Sequence, residues 1–533
     1  MAFLLLCRAC QTAPTPAPLP TFTPSPSLTL PSTATPAPII PSPTLPLTSP
    51  PLPSPTPQAA AVAVPTPLVD WQDLAPYRAA MIPGAQADID GLANPTRYFI
   101  ELVVDVENLT LTGSERLLYT NNETVDLKEV YFRLFPNSPG YGGAMEIDRV
   151  IVNGQEAQVI YELSNSALEI PLAKPLAPGE RLDITVDFLV SVPQDNEQGY
   201  GQFSCTDGVL AIPNFYPMVP VYDDEGWNIE IAPGYGDAVY SDTSLYLVQL
   251  TVPQEMVVAT SGSVIARVDN GDGTMTLICA SGPMRDFNIV MSDKYQVVSN
   301  TVGDTTVNSY YTPGDEEGGL EILEYASKAL QTYNELLGLY PFSEFDVLET
   351  PTTAGGIEYP GLIVMNRTYY DEKGGNFEFT AAHEVAHQWW YSMVGSDQVD
   401  EPWLDEALTQ YSTIIYFEEM HGKGVADSIR KQHFEEVYQR IVEEGRDAVV
   451  AQPVAAFSRE DYGPIVYVKG PLFFHSLRQQ VGDDTYFEIM RRYLEQHKYG
   501  IATPESFLAV AEEVSGQGLD EIYHRWILSA ESD

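Results

Sequence analysis

His383, Glu384 and His387 stand in the order His-Glu-Val-Ala-His, inside a stretch, Phe379–Val394, whose pattern predicts a helix. Residues four apart on a helix share one face, about one turn apart. Two imidazoles placed so can grip one metal ion, and Glu384 then reaches a water on that ion. A hydrolytic site of this kind needs a third protein ligand and an open position. Glu406 lies 19 residues past His387 (406 − 387), with room between for one helix to end and another to begin. Two imidazoles and a carboxylate suit one zinc ion. Such an ion polarises a carbonyl and lowers the pKa of water, which leaves Glu384 as the general base. The bland alternative, a helix with two surface histidines, does not require a carboxylate at that offset.

A chain of 533 residues exceeds one ordinary core. From Thr96 to Val302 the pattern is short alternating runs broken by turn signals such as Asn153-Gly154 and Asn270-Gly271-Asp272-Gly273. Tyr98, Ile100, Leu102 and Val104 fall on one face of a strand. This region predicts an all-β, sandwich-like domain, taken as 69–305. Beyond it, Leu320, Leu323, Ala326, Leu330, Tyr333 and Leu337 recur at helical spacing, and Gly338 follows as a helix-ending glycine. Strands are expected at Phe345–Leu348 and Leu362–Met365. The region 306–533 therefore predicts a mainly helical α+β domain carrying the metal site.

The N-terminus differs in kind. Residues 1–10, MAFLLLCRAC, look like the end of a signal, with Ala9-Cys10 placed as in a lipid-anchored protein. Residues 11–68 are almost wholly Pro, Thr, Ser and Ala, and 19 of the 43 prolines fall between Pro14 and Pro67. Such a segment builds no core and extends as a tether. Both features lead us to expect an extracytoplasmic protein, secreted or held at the cell surface, with membrane contact only through a lipid on Cys10. No run is long and apolar enough to span a bilayer. Acidic residues outnumber basic ones 74 to 27, for a formal charge of −47. That field argues against nucleic acid as a partner and favours cationic ligands, such as the free amino end of a peptide. A purely solubilising role for the charge is the simpler reading. Cys205 and Cys279 are far enough apart to pair or to stay free.

The segments HEVAHQWW and DEPWLDEALTQY resemble the zinc gluzincin aminopeptidases, the family of aminopeptidase N and leukotriene hydrolase. Gly355-Gly356-Ile357-Glu358-Tyr359-Pro360-Gly361 resembles that family's GAMENPG segment, and Tyr467-Val468-Lys469-Gly470 its YxKG element. The resemblance implies a β domain followed by a thermolysin-like catalytic domain, and one Zn2+ ion on His383, His387 and Glu406. It implies that Glu358, in a segment opened by Gly355 and Gly356, binds the substrate's α-ammonium. Tyr467 would hydrogen-bond the oxyanion. Tyr462 either lines the site or merely packs, and Gln410 either steadies a ligand or is exposed. The β-domain residue that usually completes the amine site is not evident, with Gln202 as a candidate. Ile357 and Tyr359 replace the usual Met and Asn. The expected activity is removal of N-terminal residues from peptides. A zinc endopeptidase of the same fold and a catalytically silent surface binding protein are the alternatives.

Overall fold

The computed structural model describes residues 69–372 and 375–530. The expected signal-like residues 1–10 and tether 11–68 lie outside them.

The N-terminal region is β-rich. An eight-stranded sheet runs in the order Ser263–Asp269, Thr274–Ala280, Leu245–Pro253, Arg97–Asp105, Thr110–Thr120, Arg181–Ser191, Ala144–Val152, Gln155–Glu156. Arg97–Asp105 runs parallel to Leu245–Pro253, and its other neighbour is antiparallel. Tyr98, Ile100, Leu102 and Val104 are buried, whereas Val103 and Asp105 are exposed; Phe99, on the outer face by the same alternation, is buried too. A three-stranded and a four-stranded sheet contribute Val130, Phe132, Leu210 and Ile289 to the same core. Cys205 and Cys279 are free. They sit in different sheets, in Ser204–Thr206 and Thr274–Ala280, so the pairing left open by their spacing is not made.

A five-stranded sheet belongs with the helices. Its order is Gln296–Val302, Thr305–Tyr311, Glu344–Thr350, Leu362–Asn366, Gly356–Tyr359. The first two strands form a hairpin, with Val302 opposite Thr305. Thr305–Tyr311 then runs parallel to Glu344–Thr350. A boundary between 305 and 306 would cut that hairpin, because both strands are committed to this sheet by their backbone hydrogen bonds.

Four helices position the site: α1 (Glu316–Leu336), α2 (Gly375–His387), α3 (Pro402–His421) and α4 (Gly470–Val481). In α1, Ile322, Leu323, Ala326, Ala329, Leu330 and Tyr333 face inward. Leu320, placed on that face by its spacing, is 56% exposed. Gly318 and Gly319 take the inward positions instead, because a Cβ on Gly319 would lie 2.3 Å from the Tyr311 ring. The Tyr333 hydroxyl donates to Ala382 O (3.0 Å) in α2 and sits 3.2 Å from Ser412 O in α3, tying the three helices together. Pro402 opens α3 at a position where a missing N–H costs nothing. From Pro402 to Phe417 almost every α3 residue is buried, so α3 is the central helix of this region.

Buried Arg285 joins the two regions. It donates to Ser241 O (2.9 Å), to Tyr391 O (2.6 Å) and to Gly500 O. Among the described residues, no helix is long and apolar enough to cross a membrane.

Candidate metal and peptide-binding site

Helix α2 ends at His387 and continues as a π-turn, Gln388–Met393. Such insertions concentrate at functional sites because they re-aim side chains. Here the turn aims Gln388, whose Oε1 accepts from Gly361 N (2.9 Å) and whose Nε2 donates to Tyr359 O (3.0 Å). The edge strand Gly356–Tyr359 is thereby pinned to the histidine helix, and Glu358 with it.

The Nε2 atoms of His383 and His387 stand 3.2 Å apart. Glu406 Oε2 lies 3.4 Å from the first and 3.5 Å from the second. The two carboxylate oxygens of Glu406 have different company. Oε1 accepts from the Tyr467 hydroxyl, whereas Oε2 is buried with no hydrogen-bond partner among the described residues. Three lone-pair atoms facing one point, one of them orphaned, are what a cation requires. At zinc–ligand distances of about 2.0–2.1 Å, tetrahedral ligand atoms sit roughly 3.3 Å apart, which the observed spacing matches.

His387 Nδ1 lies 2.7 Å from Asp405 Oδ1, so the carboxylate holds the ring with Nε2 free to bind. Asp405 Oδ2 in turn accepts from Gln398 Nε2 (2.5 Å), and the same Nε2 is 3.5 Å from Glu358 Oε1. Neither Asp405 nor Gln398 was singled out from the sequence. Asp405 had a usable signal, since a carboxylate beside a metal-ligating glutamate is a natural partner for a ligand histidine. Gln398 lies between helices and had none.

His383, His387, Glu406, Gln398 and Glu358 line one cavity of about 510 Å³. Glu384 faces it, and a Cβ on Gly356 would lie 2.5 Å from Glu384 Oε1. Only glycine lets the strand pass so close to the base. Burial foremost, then the Glu358 carboxylate, pushes Glu384 well above the usual carboxylate range. Gly355, Tyr462, Gln410 and Gln202 also line the cavity. Tyr462 is buried at the cavity wall, and its ring packs edge-on against Tyr467 at 5.8 Å. Gln410 is half-buried, with its Oε1 unpartnered and no hydrogen bond to a histidine or to Glu406.

Asp237, from the β-rich region, was not read from the sequence. Its carboxylate lies within 4.8 Å of those of Glu358 and Glu406. Burial, then Glu358 and Glu406, pushes Asp237 well above its ordinary range. Three carboxylates this close repel one another, and cations placed among them relieve that repulsion.

Residues 321–526 match the peptidase family M1 domain. The chain is 23% identical over 485 residues to aminopeptidase M1-A of Oryza sativa subsp. japonica, covering 83% of this chain and 51% of that protein. It is 25% identical to probable aminopeptidase 2 of Sulfurisphaera tokodaii, over 44% of this chain and 31% of that one. The chain thus spans about half the length of the rice relative and about a third of the archaeal one. Among solved structures, the M1 zinc metallopeptidase of Deinococcus radiodurans superposes with a TM-score of 0.61 at 18% identity, covering 81% of this chain and 93% of that chain. A mutant of that enzyme bound to a Tyr-Ser-Ala substrate superposes with a TM-score of 0.59 at 17% identity, over 81% and 94%. The two-domain layout expected from the sequence is thus also that of a known fold.

Proposed function

From a peptidase family M1 domain at residues 321–526, we propose that this protein is a zinc-dependent aminopeptidase. The observation that carries the proposal is one cavity holding both a metal-ready triad and a carboxylate pair, buried Glu358 and half-buried Asp237. His383, His387 and Glu406 would hold one zinc ion, which supplies Lewis-acid activation of water and of the scissile carbonyl.

The chain's own residues do the rest. Glu384 takes a proton from the attacking water and returns it to the leaving amine. The Tyr467 hydroxyl donates to Glu406 Oε1 here and would turn that one proton to the oxyanion that forms on the carbonyl. Glu358 and Asp237 hold the substrate's α-ammonium, since a cation in a desolvated cleft needs anionic acceptors. Fixing that end confines cleavage to the first peptide bond. The buried amine site therefore favours exopeptidase over endopeptidase action.

The test is hydrolysis of free-amino peptides against their N-acetylated forms. We expect cleavage of the free-amino set alone. Glu358→Ala should lower kcat/KM about ten- to a hundredfold, the worth of a hydrogen bond to a charged group. Cleavage of acetylated peptides at comparable rates would instead establish an endopeptidase. Zinc binding without any hydrolysis would favour a binding protein.

A cell-surface or secreted location belongs to the same proposal. It is supported by the small-residue-Cys10 sequence and the Pro-rich stretch that follows. Mass spectrometry of the native N-terminus should find a lipidated Cys10; an unmodified Met1 would refute the anchor.

A further inference from the structure

The cavity is acidic around the triad, yet it is also lined by Arg133, at the end of the strand Leu127–Arg133. Arg133 is 5% exposed. Its Nε is buried with no hydrogen-bond partner among the described residues, and its guanidinium lies 4.9 Å from the centre of the Phe135 ring. The groups acting on it electrostatically are Glu230 and the Tyr141 phenol, and neither forms an ion pair with it. A buried cation with no ion pair among the described residues is costly, so an anionic group entering the cavity would lower a penalty as well as add a contact.

The neighbours are suited to receive one. Ser138 Oγ also lines the cavity and is buried without a partner. Asn214 accepts from the Tyr141 hydroxyl (2.8 Å), while its Nδ2 leans toward Asp286 without a full hydrogen bond. Asp286 is the opposing charge on this wall, but its oxygens are engaged by the Tyr391 hydroxyl and by Asn288 Nδ2 (2.5 Å). Tyr141 lines the same cavity. It is near enough to act electrostatically on both Arg133 and Tyr359, the residue after Glu358. A residue whose ammonium sits at Glu358 and Asp237 has its side chain in the cavity that Arg133 and Ser138 also line.

We propose that Arg133 and Ser138 select an N-terminal residue bearing a side-chain carboxylate, Glu or Asp. This rests on the aminopeptidase reading above. The formal charge of −47 acts against acidic peptides at a distance, but at physiological ionic strength exposed charges are largely screened beyond about 8 Å. Arg133 lines the cavity itself.

The experiment uses the zinc-loaded full chain. It compares kcat/KM for peptides identical except for N-terminal Glu, Asp, Gln, Leu or Ala, with Arg133→Gln and Arg133→Lys alongside. Wild-type protein should prefer Glu or Asp to Gln. Arg133→Gln should lower the Glu-to-Gln ratio at least tenfold, and Arg133→Lys should keep part of it. Calorimetry of Glu-Ala and Gln-Ala binding to Glu384→Gln protein reads the same preference without turnover, and thermal melts check folding. Cleavage of Ala and Leu peptides with no Glu-to-Gln preference, or an unchanged ratio in Arg133→Gln, overturns this proposal and leaves the aminopeptidase reading standing. A loss confined to peptide acids and absent from C-terminal amides would assign Arg133 to the peptide's far carboxylate and overturn the side-chain assignment. Failure to cleave any free-amino peptide would sink both readings.

Discussion

Glu384→Gln should lower kcat/KM by about 10²–10⁴, the usual contribution of a positioned general base, while leaving fold and metal content intact. Glutamine has nearly the volume of glutamate, so the tight passage of Gly356 beside the side chain is preserved. The three metal-facing atoms belong to His383, His387 and Glu406, so zinc stoichiometry should not change. An amide cannot accept the water's proton and return it, and that is the step removed. The measurement pairs steady-state kinetics with metal analysis of the same preparation. Activity within tenfold of wild type would remove Glu384 from the base role. A loss of zinc along with activity would show that Glu384 supports the ion instead.

The sequence made legible what local geometry controls. His383 and His387 could be paired because a helix converts a four-residue spacing into a distance, and Glu406 because it stands 19 residues past His387, with room for a second helix to begin. Glu358 and Tyr467 were legible only through resemblance. One sits on an edge strand held by Gln388, the other on a π-turn, and neither placement follows from spacing. Asp237, Gln398 and Arg133 escaped for the same reason. Each reaches the cavity from a loop or strand end whose position is set by distant packing. Leu320 shows the converse error, where helical periodicity marked an inward residue but the glycines beside it let α1 pack closer and left the leucine in solvent. The β strands were readable from their alternation, whereas their order, with a parallel pair at the centre of the eight-stranded sheet, was not.

Lys469→Met should destabilise the protein by about 3–5 kcal/mol, as expected when one partner of a buried ion pair is removed. Lys469 is fully buried. Its ammonium donates to Asp447 Oδ1 (2.8 Å), Ala448 O (2.8 Å) and Ser529 O (2.7 Å), which uses all three of its donors. The variant would leave the nearly buried Asp447 without this cation and two carbonyls without this donor. The neighbouring glycine has a matching reason: a Cβ on Gly470 would lie 2.6 Å from the Cβ of Ala407, next to Glu406. Lys469 therefore anchors the start of α4 to the C-terminal segment, and Gly470 lets it press against α3. Tyr467, two residues before the lysine, is held between these constraints. Denaturant midpoints should fall for Lys469→Met, and Asp447→Leu added to it should recover much of the loss, because an apolar pair needs no charge compensation. A cost under about 1 kcal/mol, within the range of a surface ion pair, would show that the ammonium is not what fixes Tyr467 over the metal-facing atoms.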